Sequence, residues 1–192
     1  GIFPERLKTA LIKPIFKKGD PTSMGSYRPI SLLPGFSKIF ESVMTDRLVS
    51  FFNKHNLFSG CQHGYLRGRS VETAVHDFTH KILSSFDKNE HCMGIFLDLS
   101  KAYDCLNHKL FLNKLENYGV RGSALLWMQS YLSNRNQRVL IERNGQSSIS
   151  NPQTIDVGIP QGSVIGPVMF VIYLNDLSLS LIHISEPTRR TP

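Results

Sequence analysis

Apolar residues recur at helical spacing twice in the first half of the chain. Phe36, Ile39, Phe40, Val43, Met44, Leu48, Phe51 and Phe52 form one stripe, and Val71, Ala74, Val75, Phe78, Ile82 and Phe86 form another, with Ser70 placed to cap the second helix. Each pattern predicts an amphipathic helix whose stripe enters a core. Met93 to Leu99 is a mostly apolar run of strand length that carries one charge, Asp98. A helix follows from about His108 to Tyr118 with Gly119 at its C-cap, and Ser123 is expected to cap another bearing Leu125, Leu126, Trp127 and Tyr131. Arg138 to Glu142, then Asn144-Gly145, then a second strand reaching about Ile155 reads as a hairpin. A glycine-rich turn from Gly158 to Gly162 leads into an apolar helix from about Ser163 to Leu174, with Pro167 in its first turn. Residues 6–34 break every period at Pro14, Gly19, Pro21, Gly25, Pro29 and Pro34, which predicts loops with one extended segment, Leu11 to Phe16. The mixture makes the fold class α+β.

Composition narrows the class. The 192 residues suffice for one domain or two small ones, and 41% hydrophobic with 19% charged residues is the balance of a soluble globular protein. No apolar run reaches the length of about 18 residues that a membrane span needs, so no membrane partner is expected. The chain opens on Gly1, with no signal-peptide pattern, and is expected to begin inside a longer protein. Cys61, Cys92 and Cys105 are too few and too scattered for a disulfide framework or a zinc site, which suits a reducing compartment. His76 and His80 have ligand spacing but lack the Glu of an HExxH motif, so no metal is assigned to them.

Charge is uneven. Residues 1–69 contain eleven Lys and Arg against Glu5, Asp20, Glu41 and Asp46, whereas residues 70–178 contain nine against ten acidic residues. All the excess positive charge of residues 1–178 therefore lies in the first third, as a phosphate-backbone partner or a solvated basic surface would have it.

Two stretches carry chemistry. In Phe96-Leu97-Asp98-Leu99-Ser100-Lys101-Ala102-Tyr103-Asp104, a carboxylate stands at the end of an apolar strand. Burial there is costly unless the charge is paired or metal-bound, and a strand-end Asp can either reach a site or cap a helix. In Gly158-Ile159-Pro160-Gln161-Gly162-Ser163, Pro160 stiffens a turn, Gly162 admits close approach, and Gln161 supplies donor and acceptor. The following helix N-terminus would offer free N–H groups to a polar or anionic ligand.

Together these stretches resemble the first and second palm motifs of reverse transcriptases. PIFKKGD, YRPISLLP, SKIFE and QHGYLRGRS, in that order, resemble the fingers of the non-LTR (LINE-type) retrotransposon enzymes. The resemblance covers about residues 1–177. It implies a partial right-hand polymerase fold, with fingers over 1–92 and an incomplete palm over 93–177. It also implies templated addition of dNTPs to a primer 3′-hydroxyl by two Mg²⁺ ions, with Mn²⁺ as a substitute, on an RNA template and a DNA primer. Position by position, it makes Asp98 the first catalytic, metal-binding aspartate and gives the Leu99 carbonyl to the triphosphate-side metal. It sets Tyr103 under the incoming sugar, Gln161 and Gly162 against the nucleotide, Lys17 and Arg28 at the triphosphate, with Lys13 and Lys18 as neighbouring alternatives, and Arg67 and Arg69 on the template. An intracellular ribonucleoprotein, nuclear and cytoplasmic, is the expected setting.

The chain departs from the family in lacking the adjacent Asp-Asp pair that follows the second palm motif, so it is expected to be inactive alone. From Leu179 to Arg189 it reads LSLIHISEPTR, which resembles a translated sequencing-library adapter; residues 178–192 are expected to be non-native. An RNA-directed RNA polymerase is disfavoured by Tyr103, which stands where those enzymes carry an acidic residue. A non-catalytic nucleic-acid-binding remnant of a decayed element and a group II intron-type reverse transcriptase are the alternatives.

Overall fold

The computed structural model describes residues 1–177 except Ser100 and Asn144. The segment read as adapter-derived lies outside the described residues, as does Asn144 of the expected hairpin turn. The elements in chain order are β1 (Thr9–Phe16), β2 (Tyr27–Leu32), α1 (Gly35–Lys54), α2 (Val71–Asp87), α3 (His108–Asn117), α4 (Gly122–Leu132), β3 (Arg135–Arg143), β4 (Gln146–Ile149), β5 (Gln153–Ile155) and α5 (Gly166–Leu174). The mixed helix and sheet content is that of the expected α+β class. Contacts divide the chain into two compact units, one of Gly1–Leu57 with Lys101–Tyr173, the other of Phe58–Ser100 with the chain from Leu174.

In the first unit the strands run in the order β2-β1-β3-β4, with β5 also on β3, and β1 pairs with β3 in parallel. The proline-rich start forms the expected extended segment, Leu11 to Phe16, as most of β1, but also a second strand, β2, where its composition predicts loop. Its two strands accommodate Pro14 and Pro29 by setting them opposite each other in the β1–β2 register. Opposed residues in an antiparallel pair alternate between bonded and non-bonded sites, and two residues without N–H groups fit a non-bonded site. Pro14 also lies past the β3 pairing, which ends at Ile12, and β2 is an edge strand. Neither ring then removes a ladder bond.

The β3–β4 hairpin forms with Arg143 opposite Gln146, which leaves the expected two-residue loop, and Gly145 has φ +77°. The returning strand is split in two. Ser150 interrupts it by donating its N–H to the Val139 carbonyl and taking the Val139 N–H on its hydroxyl, and Pro152 has no N–H to offer.

α3 ends as its sequence predicts. Gly119, at φ +92°, donates to the Glu116 carbonyl, and Val120 donates to that of Leu115, while Val120 and Leu115 are both buried. This is the double bond and apolar contact of a Schellman ending. The cap expected at Ser123 is absent: α4 begins at Gly122 behind Arg121, with no side-chain cap bond. The core joins Phe52, Leu106, Phe111, Leu115, Met128, Ile165, Met169 and Ile172, all fully buried. Phe3 seals one end, its ring edge-on to Trp127 at 5.4 Å and to Tyr131 at 5.0 Å.

α1 buries only part of its predicted apolar stripe and turns two polar residues inward beside it. Its buried positions are Ser37, Glu41, Met44, Leu48 and Phe52, whereas Phe36, Ile39, Phe40 and Val43 are exposed. The phase is set by what Ser37 and Glu41 bind, described below.

The second unit contains α2, started as predicted by Ser70. The Ser70 hydroxyl accepts from the Thr73 N–H, and the Thr73 hydroxyl accepts from the Ser70 N–H. Two expectations fail in this unit. The α2 stripe is not core: no residue of α2 is buried, and Val71 is 80% exposed. Residues 93–99 form no strand, and Phe96 is 82% exposed, touching the Phe78 ring edge-on at 5.6 Å. An apolar strand needs neighbours to satisfy its N–H and C=O groups, and no described residue of this unit is in a strand.

Candidate active site

The two stretches that carry chemistry converge in the first unit at Tyr103 and the Gly158–Gly162 turn. The Ile159 N–H donates to the Tyr103 carbonyl at 2.8 Å, the Gly158 N–H donates to the Leu106 carbonyl at 2.8 Å, and His108 Nε2 donates to the Gly158 carbonyl at 2.7 Å. Asn107 and Val157 form a bridge beside them. Only glycine fits at 158. Its φ is +90°, and a Cβ there would stand 2.9 Å from the Asp104 carbonyl oxygen and 3.0 Å from the Asp104 Cα.

The same turn docks on the β1–β2 hairpin. The Ser31 N–H donates to the Gln161 carbonyl at 2.8 Å. Gly162, at φ +122°, brings its Cα so close to the Ser31 carbonyl that a Cβ would lie 2.9 Å from the oxygen. Gly158, Ile159 and Pro160 are buried, Gln161 is half-buried and Gly162 is exposed. The turn thus holds half-buried Gln161 and an open backbone at Gly162 on a rigid base. Tyr103 is half-buried, its ring stacked on Phe170 at 5.3 Å, and a Cβ on Gly166 would stand 3.7 Å from it. The ring is therefore backed by α5.

A buried polar cluster underlies the turn, and the sequence reading passed over it. Glu41 is fully buried. Its Oε2 accepts the Val164 N–H at 2.7 Å; its Oε1 accepts the Ser37 hydroxyl at 2.7 Å and the Tyr131 hydroxyl at 3.1 Å. Arg135, also buried, lies over the Tyr131 ring at 4.7 Å and donates to the Tyr131 carbonyl. Burial above all raises the Tyr131 pKa; Arg135 opposes the rise and Glu41 adds to it. Ser37 and Glu41 are the first and last residues of SKIFE, one helical turn apart on the face that carries Met44 and Leu48. That spacing was the available signal. The cluster also corrects the expectation of free N–H groups ahead of α5: the Glu41 carboxylate takes that of Val164, and the Ser163 hydroxyl takes that of Gly166 at 3.1 Å.

Lys17 and Arg28 are exposed on the β1–β2 hairpin, to which Gly162 docks. Arg28 pairs with Ile15, two residues before Lys17, so the two cations share a face. Lys13 is held by Glu142 at 2.7 Å. Asp98, Leu99, Arg67 and Arg69 belong to the second unit. There Arg67 is exposed, and the Arg69 guanidinium binds the carbonyls of Gly60, at 2.6 Å, and Gln62, organising its own loop. Asp98 is exposed on the irregular segment, and no three His, Cys, Asp or Glu side chains gather to hold a metal among the described residues. The described residues do not by themselves form a two-metal centre.

Residues 15–186 match the family model of reverse transcriptase (RNA-dependent DNA polymerase). The chain is 33% identical over 195 residues to the "Probable RNA-directed DNA polymerase from transposon BS" of Drosophila melanogaster, covering 97% of this chain and 20% of that protein. It is 32% identical to the RNA-directed DNA polymerase from mobile element jockey of the same species, covering 92% of this chain and 19% of that protein. The chain thus spans about one fifth of the length of these relatives. Among solved structures, the apo telomerase of Candida tropicalis truncated from its C-terminal domain superposes with a TM-score of 0.54 at 14% identity, over 95% of this chain and 41% of that one. That likeness is one of fold, the right-hand polymerase fold. From the joined motifs, the matched family model and these relatives, the chain belongs to the reverse transcriptase (RNA-dependent DNA polymerase) family, on its non-LTR retrotransposon side.

Proposed function

We propose that the polypeptide bearing this chain copies RNA into DNA, and that the chain supplies the surface that receives the incoming dNTP. The observation that carries this reading is the 2.8 Å bond from the Ile159 N–H to the Tyr103 carbonyl, which fixes an aromatic ring and the Gln161–Gly162 turn in one frame across a long stretch of sequence. On this reading the Tyr103 ring lies against C2′ of the sugar. Gln161 and Gly162 hold the nucleotide and the base pair beside it. Lys17 and Arg28 meet the triphosphate with flexible, exposed charge. Arg67 is a template contact, whereas Arg69 reaches RNA only through the loop it organises. Reverse transcriptases generally use divalent metal ions, and Asp98 is the carboxylate this chain would contribute.

The test is primer extension on an RNA template by the full-length polypeptide with dNTPs and Mg²⁺. The wild type is expected to extend the primer and Asp98→Ala to abolish extension. A folded wild type that binds primer–template yet incorporates nothing overturns the reading, as does undiminished extension by Asp98→Ala.

A further inference from the structure

The Glu41 cluster has no part in the chemistry described so far, yet its carboxylate ends on the backbone of the turn that presents Gln161 and Gly162. We propose that Glu41 is a positioning residue for the nucleotide-facing turn, acting through the Val164 N–H; its kinetic consequence rests on the function proposed above.

A fully buried carboxylate is unfavourable unless its lone pairs are filled, and an apolar residue at 41 would continue the stripe of Met44, Leu48 and Phe52 on the inward face of α1. The carboxylate instead accepts three bonds, two from hydroxyls on α1 and α4 and one from the main chain at Val164. The hydroxyl bonds orient it. Ser37 lies one turn back on the same helix, and the Tyr131 ring is fixed between Trp127, stacked at 5.3 Å, and the Arg135 guanidinium at 4.7 Å. Oε2 is thus aimed by a rigid frame at one peptide N–H.

That peptide is the downstream anchor of the turn. Upstream the turn is held by the bonds of Gly158 and Ile159, and in the middle by Ser31 on the Gln161 carbonyl. Without Glu41, the segment from Gly162 to Ile165 would keep the bonds from the Ser163 N–H to the Pro160 carbonyl, from the Gly166 N–H to the Ser163 hydroxyl and from the Met169 N–H to the Ile165 carbonyl, and the side-chain bond of Ser163 with Tyr131, but none from outside to the Val164 peptide. Gly162, exposed and without a side chain, cannot stiffen it. Glu41 therefore couples α1 of the fingers-like region to the placement of Gln161 and Gly162.

The experiment has two arms. In the first, hydrogen exchange is followed in the chain itself for wild type, Glu41→Ala and Glu41→Gln. Exchange at residues 162–166 is expected to quicken by about tenfold or more in Glu41→Ala, the size of one lost charge-assisted bond, with α3 protection kept. Glu41→Gln retains a carbonyl oxygen for the Val164 N–H and is expected to lie between the two. If Glu41→Ala loses protection throughout, Ser37→Ala, which removes one orienting bond to the carboxylate, is the second variant and is expected to quicken residues 162–166 selectively. Unchanged exchange there in folded Glu41→Ala, or selective loss absent from both variants, overturns the proposal.

In the second arm, the full-length polypeptide is assayed for dNTP addition. KM for dNTP is expected to rise about tenfold in Glu41→Ala, with primer–template affinity unchanged and Glu41→Gln partly restored. A loss confined to kcat or to primer–template affinity overturns the positioning role. Selective exchange in the first arm without any dNTP addition by the wild type sinks the polymerase reading and leaves the turn anchor standing.

Discussion

In the full-length polypeptide, on the function proposed above, Tyr103→Ala is expected to raise the kcat/KM for a matched rNTP relative to the dNTP by a factor on the order of 10², while dNTP addition survives. A site for deoxynucleotides cannot reject ribonucleotides by hydrogen bonding, because the unwanted substrate carries the additional hydroxyl. An apolar pocket alone rejects an added hydroxyl only by about 10², and a ring that cannot retreat adds a steric clash. The structure gives the physical reason for rigidity. Phe170 is stacked behind the Tyr103 ring, and Gly166 is packed against its edge. Tyr103→Phe keeps the ring and is expected to keep the discrimination. No carboxylate is lost in either variant. An unchanged ratio in folded, active Tyr103→Ala would place sugar selection elsewhere and leave Tyr103 as a packing residue between its loop and α5.

The second large effect concerns stability and needs no catalysis. Gly158→Ala is expected to destabilise the first unit by about 3 kcal/mol or more, since a left-handed conformation costs a non-glycine residue roughly 1–2 kcal/mol and a backbone clash adds to it. At 158 the new methyl would meet the carbonyl oxygen, Cα and carbonyl carbon of Asp104, all main-chain atoms that cannot rotate aside. Relief means separating the turn from the Tyr103 loop and stretching the bonds of Gly158 and Ile159 that hold them together. Gly35→Ala is the control: it sits at the start of α1 with nothing within 4 Å of its Cβ position, and its effect is expected to be small. Urea titration of both variants checks the difference. Coincident midpoints for Gly158→Ala and wild type would show that the two segments are not locked as described.

How far the sequence anticipates this molecule depends on the range of the interactions involved. The C-terminus of α3 was legible because a Schellman ending is decided by Gly119 and Val120 within one turn. The β3–β4 loop was legible because two-residue hairpins demand few residue types. The Gly158–Gly162 turn was legible in place, since glycine and proline act on their own backbone. What failed was set at a distance. Pro29 reads as a loop marker until a register sets it opposite Pro14. Met93–Leu99 has the composition of a buried strand, but composition supplies no pairing partner. The α1 stripe was assigned by hydrophobicity alone, and the helix instead turns Ser37 and Glu41 inward, because Tyr131 and the Val164 N–H are there to meet them. The resemblance to reverse transcriptases named the residues at the turn and the ring; it was silent on the cluster that holds them.

On the proposed function, the Tyr103 ring and the Gln161–Gly162 turn receive the incoming nucleotide. The most direct measurement is photocrosslinking of a dNTP bearing a photoreactive group to the full-length polypeptide on an RNA–DNA primer–template, followed by peptide mapping. Adducts are expected on the peptides that contain Tyr103 and Gln161–Gly162, competed away by the matched unmodified dNTP and not by a mismatched one. Competable adducts confined to other peptides, with these two unlabelled, would contradict the account.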